Sequence, residues 1–208
     1  MRDLPPNMTD YLATRSTFRL EVPEVYNYAR DVVDAWAAKE PAKLALLAVG
    51  PDGGNPRRYS FADLAASSNR AARFLASLGV RKGDPVFVML PRIPEWYDVV
   101  LGCIKLGAVP MPGTTLLTAR DIDYRLERAG ARVAVTDPGG ADKVDQAAKR
   151  MGVHLTRILV RSQEAGGPSS GWASWEDGLE SASDQPPAVE PTQSDDPMLV
   201  YFTSGTVA

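Results

Sequence analysis

The chain has 208 residues, of which 44% are hydrophobic and 24% charged, and its formal net charge is −3 from 23 basic and 26 acidic side chains. That length suffices for a buried core, and the composition is that of an ordinary globular protein. No block of Lys and Arg is present to meet a nucleic-acid backbone. A single cysteine, Cys103, excludes an internal disulfide framework. The apolar runs LALLAVG and VVLGCIKLGAVPMPG break before the roughly 18 residues a membrane span requires. The start, MRDLPPNMTDYLATRSTF, lacks the apolar h-region of a secretory signal, so a cytoplasmic location is expected.

Residues 1–40 are expected to be a lead-in ending in a helix, and 41–208 an incomplete α/β domain. Lys43–Val49 is an apolar run of strand length, closed by the turn-rich GPDGGNP, and Arg57–Ser60 can return against it as a hairpin. Ser60 with Asp63 has capping-box spacing, and Leu64, Ala71, Phe74, Leu75 and Leu78 mark one helical face that Gly79 closes. Pro85–Leu90 reads as a strand buried on both faces, the habit of parallel sheets. Pro94 suits a first helical position, and Trp96, Val99, Val100, Cys103 and Ile104 follow at helical spacing up to Gly107.

The alternation continues. Ala108–Met111 is a short strand, and Thr118 with Asp121 caps a helix carrying Ile122 and Leu126. Arg132–Thr136, a helix over about 141–151, and Thr156–Val160 make the next unit. Gln163–Gly171 and Ser181–Asp196 are polar, proline-rich loops, with Trp172 and Trp175 placed to fasten the first of them to the core. Met198–Phe202 returns to a buried-strand pattern. Strands alternating with helices of this length predict an α/β fold, a mainly parallel sheet with flanking helices.

The most informative run is Asp196-Pro197 followed by Met198–Thr206. An apolar segment delivers the chain into Thr203, Ser204, Gly205 and Thr206. Gly205 permits a turn that a side chain would hinder, and successive N–H groups with small hydroxyls can form an anion nest. Phosphate is the ligand such chemistry suits.

This run resembles the phosphate-binding loop of the adenylate-forming superfamily, which includes acyl-CoA synthetases, peptide-synthetase adenylation domains and luciferases. Other segments agree in order: Tyr59-Ser60-Phe61 with Leu64 and Asn69-Arg70, Gly83-Asp84 before Val86–Leu90, Pro91–Trp96, Gly102–Ala108, Met111–Thr115, Asp121–Arg125 and Ala131–Thr136. Several of these look especially like medium-chain acyl-CoA synthetases. The resemblance implies ATP- and Mg²⁺-dependent conversion of a carboxylic acid to an acyl-adenylate, with transfer to CoA and release of AMP and pyrophosphate. It assigns Thr203, Ser204, Gly205 and Thr206 to the first half of the phosphate cradle.

The family loop continues through a second Thr-Gly to a lysine, where this chain has Val207 and Ala208 and then ends. The resemblance therefore implies a fragment lacking the metal, acyl and adenine segments, and the mobile C-terminal domain with its catalytic lysine. On that reading the isolated chain is inactive and binds none of ATP, CoA or Mg²⁺ productively; it contains no catalytic residue and no metal ligand. A second reading is a non-catalytic nucleotide- or protein-binding remnant of the same fold. A dinucleotide-binding oxidoreductase domain is less favoured, because Gly50–Gly54 lacks GxGxxG spacing. His154 has no Cys/His cluster around it, and Cys103, Trp96 and Tyr97 read as packing residues. Pro112–Thr115 reads as a structural loop near a strand end.

Overall fold

The computed structural model describes residues 9–50, 52–152 and 154–203. A short helix α1 (Tyr11–Thr17) is followed by a π-helical turn at Ala29–Asp34 that runs directly into α2 (Ala35–Lys39). β1 (Leu44–Ala48) and β2 (Arg57–Ser60) form the antiparallel hairpin expected across the glycine-rich turn, with a bulge between Leu44 and Leu46. Then come α3 (Phe61–Ser77), β3 (Pro85–Met89), α4 (Glu95–Leu106), β4 (Val109–Pro112), α5 (Ala119–Ala129), β5 (Val133–Thr136), α6 (Pro138–Met151), β6 (Thr156–Leu159), β7 (Trp172–Ser174) and α7 (Trp175–Ser181).

Strands β3 to β7 form one parallel sheet in the order β4-β3-β5-β6-β7. Its strands are buried on both faces, which is why they read as continuous apolar runs. Val86, Val88, Val133, Val135 and Ile158 point into a core shared with α3, α4 and Trp175. Phe87, Met89, Met111, Ala134 and Leu159 point the other way, into a core shared with α5 and α6. Helices thus cover both faces, the expected architecture.

The helix ends form for the reasons the sequence suggested. Ser60 Oγ accepts the Asp63 N–H at 3.1 Å while Asp63 Oδ2 accepts the Ser60 N–H at 2.8 Å. Thr118 and Asp121 repeat the reciprocal pair. The N–H and hydroxyl of Ser60 both donate to the Asp63 carboxylate, and those of Thr118 to the Asp121 carboxylate, so both carboxyls sit below the usual range. Pro94 takes the N-cap rather than the first helical position. Helices α3 and α4 pack closely because Gly102 has no side chain; a Cβ there would lie 2.5 Å from that of Ala71.

One expected strand is absent. Residues 198–202 carry no strand pairing beyond a single ladder-like bond, the Val200 N–H to the Pro110 carbonyl at 3.2 Å. The reason lies in β4. Val109 and Gly113 donate to Asp84 and Val88 on the β3 side, so Pro110 and Pro112 face the outer edge. Proline offers a carbonyl there and no N–H. A neighbouring segment can donate to this edge and receives nothing back. Residues 198–202 run alongside it without joining the sheet.

The π-helical turn, α3 and α4 meet at a buried ammonium. Lys105 is 0% exposed, and its Nζ donates to Asp34 Oδ1 at 2.7 Å and Asn69 Oδ1 at 2.8 Å. Burial pulls its pKa down, and the Asp34 carboxylate opposes that shift. Removing one partner of a buried pair strands the other charge, at about 3–5 kcal/mol. Replacing the ammonium with an apolar chain of similar size strands less, because the Asp34 side chain is 29% exposed and can rehydrate. Asp34→Ala should therefore lower the unfolding free energy by about 3 kcal/mol or more, and Lys105→Met by less. Urea midpoints of the two variants measure the order directly.

Candidate functional site

The residues expected to bind phosphate follow the edge segment. Asp196 precedes it, its Oδ2 accepting the Gln193 N–H at 2.7 Å and pairing with Lys82 Nζ at 2.8 Å. These bonds, Lys82's first, hold the Asp196 carboxyl below its ordinary value. Met198 and Leu199 then border an apolar cavity of 340 Å³ against α4. Val200 meets Pro110, and Phe202 packs on the α5 face, 6.0 Å from the Tyr124 ring centroid and 5.2 Å below the Arg125 guanidinium. The chain therefore runs in the direction of β4, and Thr203 arrives near that strand's carboxyl end. Ser204, Gly205 and Thr206 lie outside the described residues.

The carboxyl edge is where α/β sheets bind ligands, at the point where connections leave in opposite directions. Here that point lies between β3, which leads to β4 on one side, and β5, which leads to β6 on the other. Thr136 Oγ1 donates to the Met89 carbonyl across it at 2.8 Å. The first turn of α6 presses on the same spot: a Cβ on Gly140 would lie 2.0 Å from Thr136 Oγ1. Next to it a cleft of 410 Å³ is lined by Leu46–Val49, Leu90–Pro94, Trp96 and Tyr97. Trp96 and Tyr97, expected as packing residues, form its wall with rings 5.2 Å apart edge to face, and Tyr97 is 42% exposed.

An ionic cluster backs this edge. Arg161 grips Glu95 at the start of α4 with two bonds of 3.1 Å, which raises the Arg161 pKa. Glu176 accepts the Arg161 N–H at 2.6 Å and the Ser162 hydroxyl at 3.0 Å. Arg161 itself has φ +57, a left-handed conformation that these bonds hold in place. None of this was legible in the sequence, because Glu95 and Arg161 stand 66 residues apart. The α7 helix was legible and overlooked: Ser174 and Asp177 have the same cap spacing used for the earlier helices, and Ser174 Oγ does accept the Asp177 N–H at 3.2 Å. Trp175 is 1% exposed and Trp172 7%, so both fasten their loop as expected.

Cys103 is fully buried, and burial pushes its thiol up to about 12, so it packs rather than reacts. His154 is exposed. Among the described residues no group of three His, Cys, Asp or Glu side chains could hold a metal ion, and no helix is long and apolar enough to cross a membrane.

With this geometry in view, comparison with known proteins is direct. A family model described as AMP-binding enzyme matches residues 33–208, and the chain belongs to that family. Within it the chain is similar to mitochondrial acyl-coenzyme A synthetase ACSM3 of Mus musculus, 38% identical over 209 residues covering 97% of this chain and 35% of the relative. Mitochondrial acyl-coenzyme A synthetase ACSM4 of Rattus norvegicus is 39% identical over 191 residues, covering 89% and 32%. The fold matches a crystal structure of Brucella canis acyl-CoA synthetase with a TM-score of 0.77 at 23% identity, over 95% of this chain and 35% of that one. The chain spans about a third of the length of the curated relatives it matches.

These relatives overturn the cytoplasmic expectation, since they are mitochondrial proteins. The criterion used was the lack of an apolar h-region, which detects secretory signals and does not address the amphipathic, Arg-rich leaders of mitochondrial import.

The ionic cluster yields a pH dependence. Asp98, one turn after Glu95, accepts the Ser67 hydroxyl at 2.5 Å, and burial pushes its carboxyl up to about 6, with Ser67 opposing and Glu95 adding to the rise. A carboxyl raised in the folded state prefers to fold protonated. Its contribution is thus most favourable below the unfolded value near 4 and is lost as pH rises to 6, a cost of about 3 kcal/mol above that. Asp98→Asn keeps an acceptor for Ser67 and removes the charge. It should raise the unfolding free energy by about 1–3 kcal/mol at pH 7.5 and lose most of that advantage at pH 4. Urea unfolding of both proteins at the two pH values checks the sign.

Proposed function

We propose that this chain is the amino-terminal portion of a synthetase that activates a carboxylic acid, a medium-chain fatty acid in our reading, with ATP. Formation of the acyl-adenylate releases pyrophosphate, and the acyl group is then transferred to the CoA thiol, releasing AMP. The observation that carries this is the family match over residues 33–208, which includes the Asp196–Thr206 run. The course of residues 196–203 toward the carboxyl edge of the sheet supports it. In this reading Thr203, Ser204, Gly205 and Thr206 supply neutral hydroxyl and backbone donors to the β- and γ-phosphates. Such donors stabilise the charge that develops as pyrophosphate leaves.

The remaining parts of the chemistry lie in our reading beyond this portion. The adenine, acyl and Mg²⁺ sites, the lysine that closes the phosphate loop and the second domain belong to the other two thirds of such an enzyme. ATP, CoA and Mg²⁺ are therefore cofactors of the complete synthetase, and the 208 residues alone supply half a phosphate cradle.

Three outcomes are expected. The chain by itself, given ATP, Mg²⁺, CoA and a panel of short to medium carboxylates, forms no AMP above a no-protein blank. When it replaces the corresponding third of the mouse ACSM3 chain, carboxylate-dependent AMP and acyl-CoA appear. In that chimera Ser204→Ala with Thr206→Ala lowers the rate by on the order of 10²–10³. A chimera that folds by circular dichroism and stays inactive would count against the proposal, as would turnover by the chain alone.

A further inference from the structure

The stretch from Ala182 to Asp196 is polar, rich in proline and outside the named helices and strands, with one isolated bridge from Gln193 to Val25. Its composition reads as a linker, yet it is tied down along its length. Asn69 Nδ2 donates to the Asp184 carbonyl at 2.7 Å, Arg73 to those of Gln185 and Pro186 at 2.9 and 3.0 Å, and Arg30 to that of Pro187 at 3.2 Å. Farther on, the Tyr26 N–H reaches the Thr192 carbonyl at 3.0 Å and the Ser194 N–H the Glu24 carbonyl at 3.0 Å. The acceptors in these bonds are backbone carbonyls, to which the Thr192 hydroxyl and the Asp184 carboxylate add side-chain ties with Asn27 and Arg70. A strap held by its backbone keeps its path regardless of most of its side chains.

The last tie joins two points of the strap through one side chain. Lys82 Nζ donates both to the Pro191 carbonyl at 2.8 Å and to the Asp196 carboxylate at 2.8 Å. It therefore spans the final turn of the strap and pins the residue from which the edge segment departs. Lys82 sits in the turn just ahead of β3, and that turn is itself bonded to the end of α4 through the Gly83 N–H and the Gly107 carbonyl at 2.8 Å. The anchor is rigid on the sheet side. On the other side, residues 198–202 are bonded to the sheet backbone at Val200, where Pro110 and Pro112 withhold the donors that a strand partner would use.

We propose that Lys82 is a positioning residue: through Asp196 and the Pro191 carbonyl it sets the course of the segment that leads to Thr203. This rests on the proposed function for its meaning, since what is positioned is the donor run offered to phosphate. Lys82 touches no substrate in this role. It acts on the entry of a segment that the sheet edge cannot hold by pairing. The pair is half-exposed, with side chains 27% and 30% accessible. Its effect is accordingly on the placement of residues 197–203 and small on the stability of the whole.

Hydrogen exchange of single amides separates these effects. In Lys82→Met, protection of the Val200 amide should fall on the order of tenfold, the worth of a lost charge-assisted bond, while the amides of Val133–Thr136 in the sheet centre keep theirs. Lys82→Arg, which retains both donors, should hold Val200 protection near the unsubstituted level. The double variant Lys82→Asp with Asp196→Lys should recover part of it. Unchanged Val200 protection in Lys82→Met would overturn the proposal, and so would an equal loss at Val133–Thr136, which would mean general loosening.

Titration of Mg·ATP in the chimera with the mouse synthetase reads the functional consequence. Nucleotide affinity should weaken in Lys82→Met and return in Lys82→Arg, in step with exchange. Affinity indifferent to Lys82 would overturn the positioning role. If the unsubstituted chimera takes up no ATP while the exchange pattern holds, the phosphate reading fails and the clamp on residues 197–203 stands.

Discussion

An ammonium without water must find its ligands inside the protein, and Lys105 on α4 finds them on two other elements at once. Asp34 ends the π-helical turn, Asn69 and the Ala65 carbonyl belong to α3, and Lys105 itself sits near the end of α4. Burying that charge is costly, and the cost is offset only when all three elements stand in one arrangement. The constraint then spreads. Asn69 uses its amide nitrogen to hold the Asp184 carbonyl, so the point that aligns the helices also begins the strap over them. Asn27, at the start of the π-helical turn, donates to the Ile104 carbonyl at 2.7 Å and to Thr192 at 3.0 Å, tying the far end of the strap to the same helix. The amino-terminal helical segment, the helix pair and the approach to the phosphate run are thus one hydrogen-bonded unit.

The sheet imposes a second constraint, of opposite sign. Its interior strands are satisfied on both edges, but β4 turns two prolines outward, and no strand can complete a ladder there. An edge of this kind blunts unwanted pairing with other chains. It also leaves residues 198–202 to be positioned by side chains: Phe202 between Tyr124 and Arg125, Asp196 on Lys82, and a single donated bond from Val200. The path is set by contacts that are individually modest and directionally consistent.

What the sequence disclosed follows the range of the forces involved. Strands buried on both faces, reciprocal Ser/Thr–Asp caps and glycine helix stops are local, and Pro85–Leu90, Ser60 with Asp63 and Gly107 were readable from their neighbours alone. The failure at Met198–Phe202 was a failure of partner, not of propensity. Its apolar pattern is that of a strand, while the decisive feature lies in Pro110 and Pro112, which the pattern does not contain. The Arg161–Glu95 grip and the Lys82–Asp196 pair were invisible for the same reason: charges far apart in sequence meet only once the sheet order is known. Thr203, Ser204, Gly205 and Thr206 suggest phosphate by their residue types alone, while the course of residues 196–202 along β4 became visible only with that strand beside it.

Anchoring by entry rather than by pairing has a consequence for the proposed chemistry. A strand in a full ladder would have its dihedrals fixed up to its last residue. Here the described backbone is held at Asp196 and Val200, and Phe202 adds its packing on Tyr124 and Arg125. Donors to a phosphate that is bound, cleaved and released as pyrophosphate must hold direction without holding one geometry throughout the cycle. Fixing the approach at Asp196, Val200 and Phe202 supplies that direction.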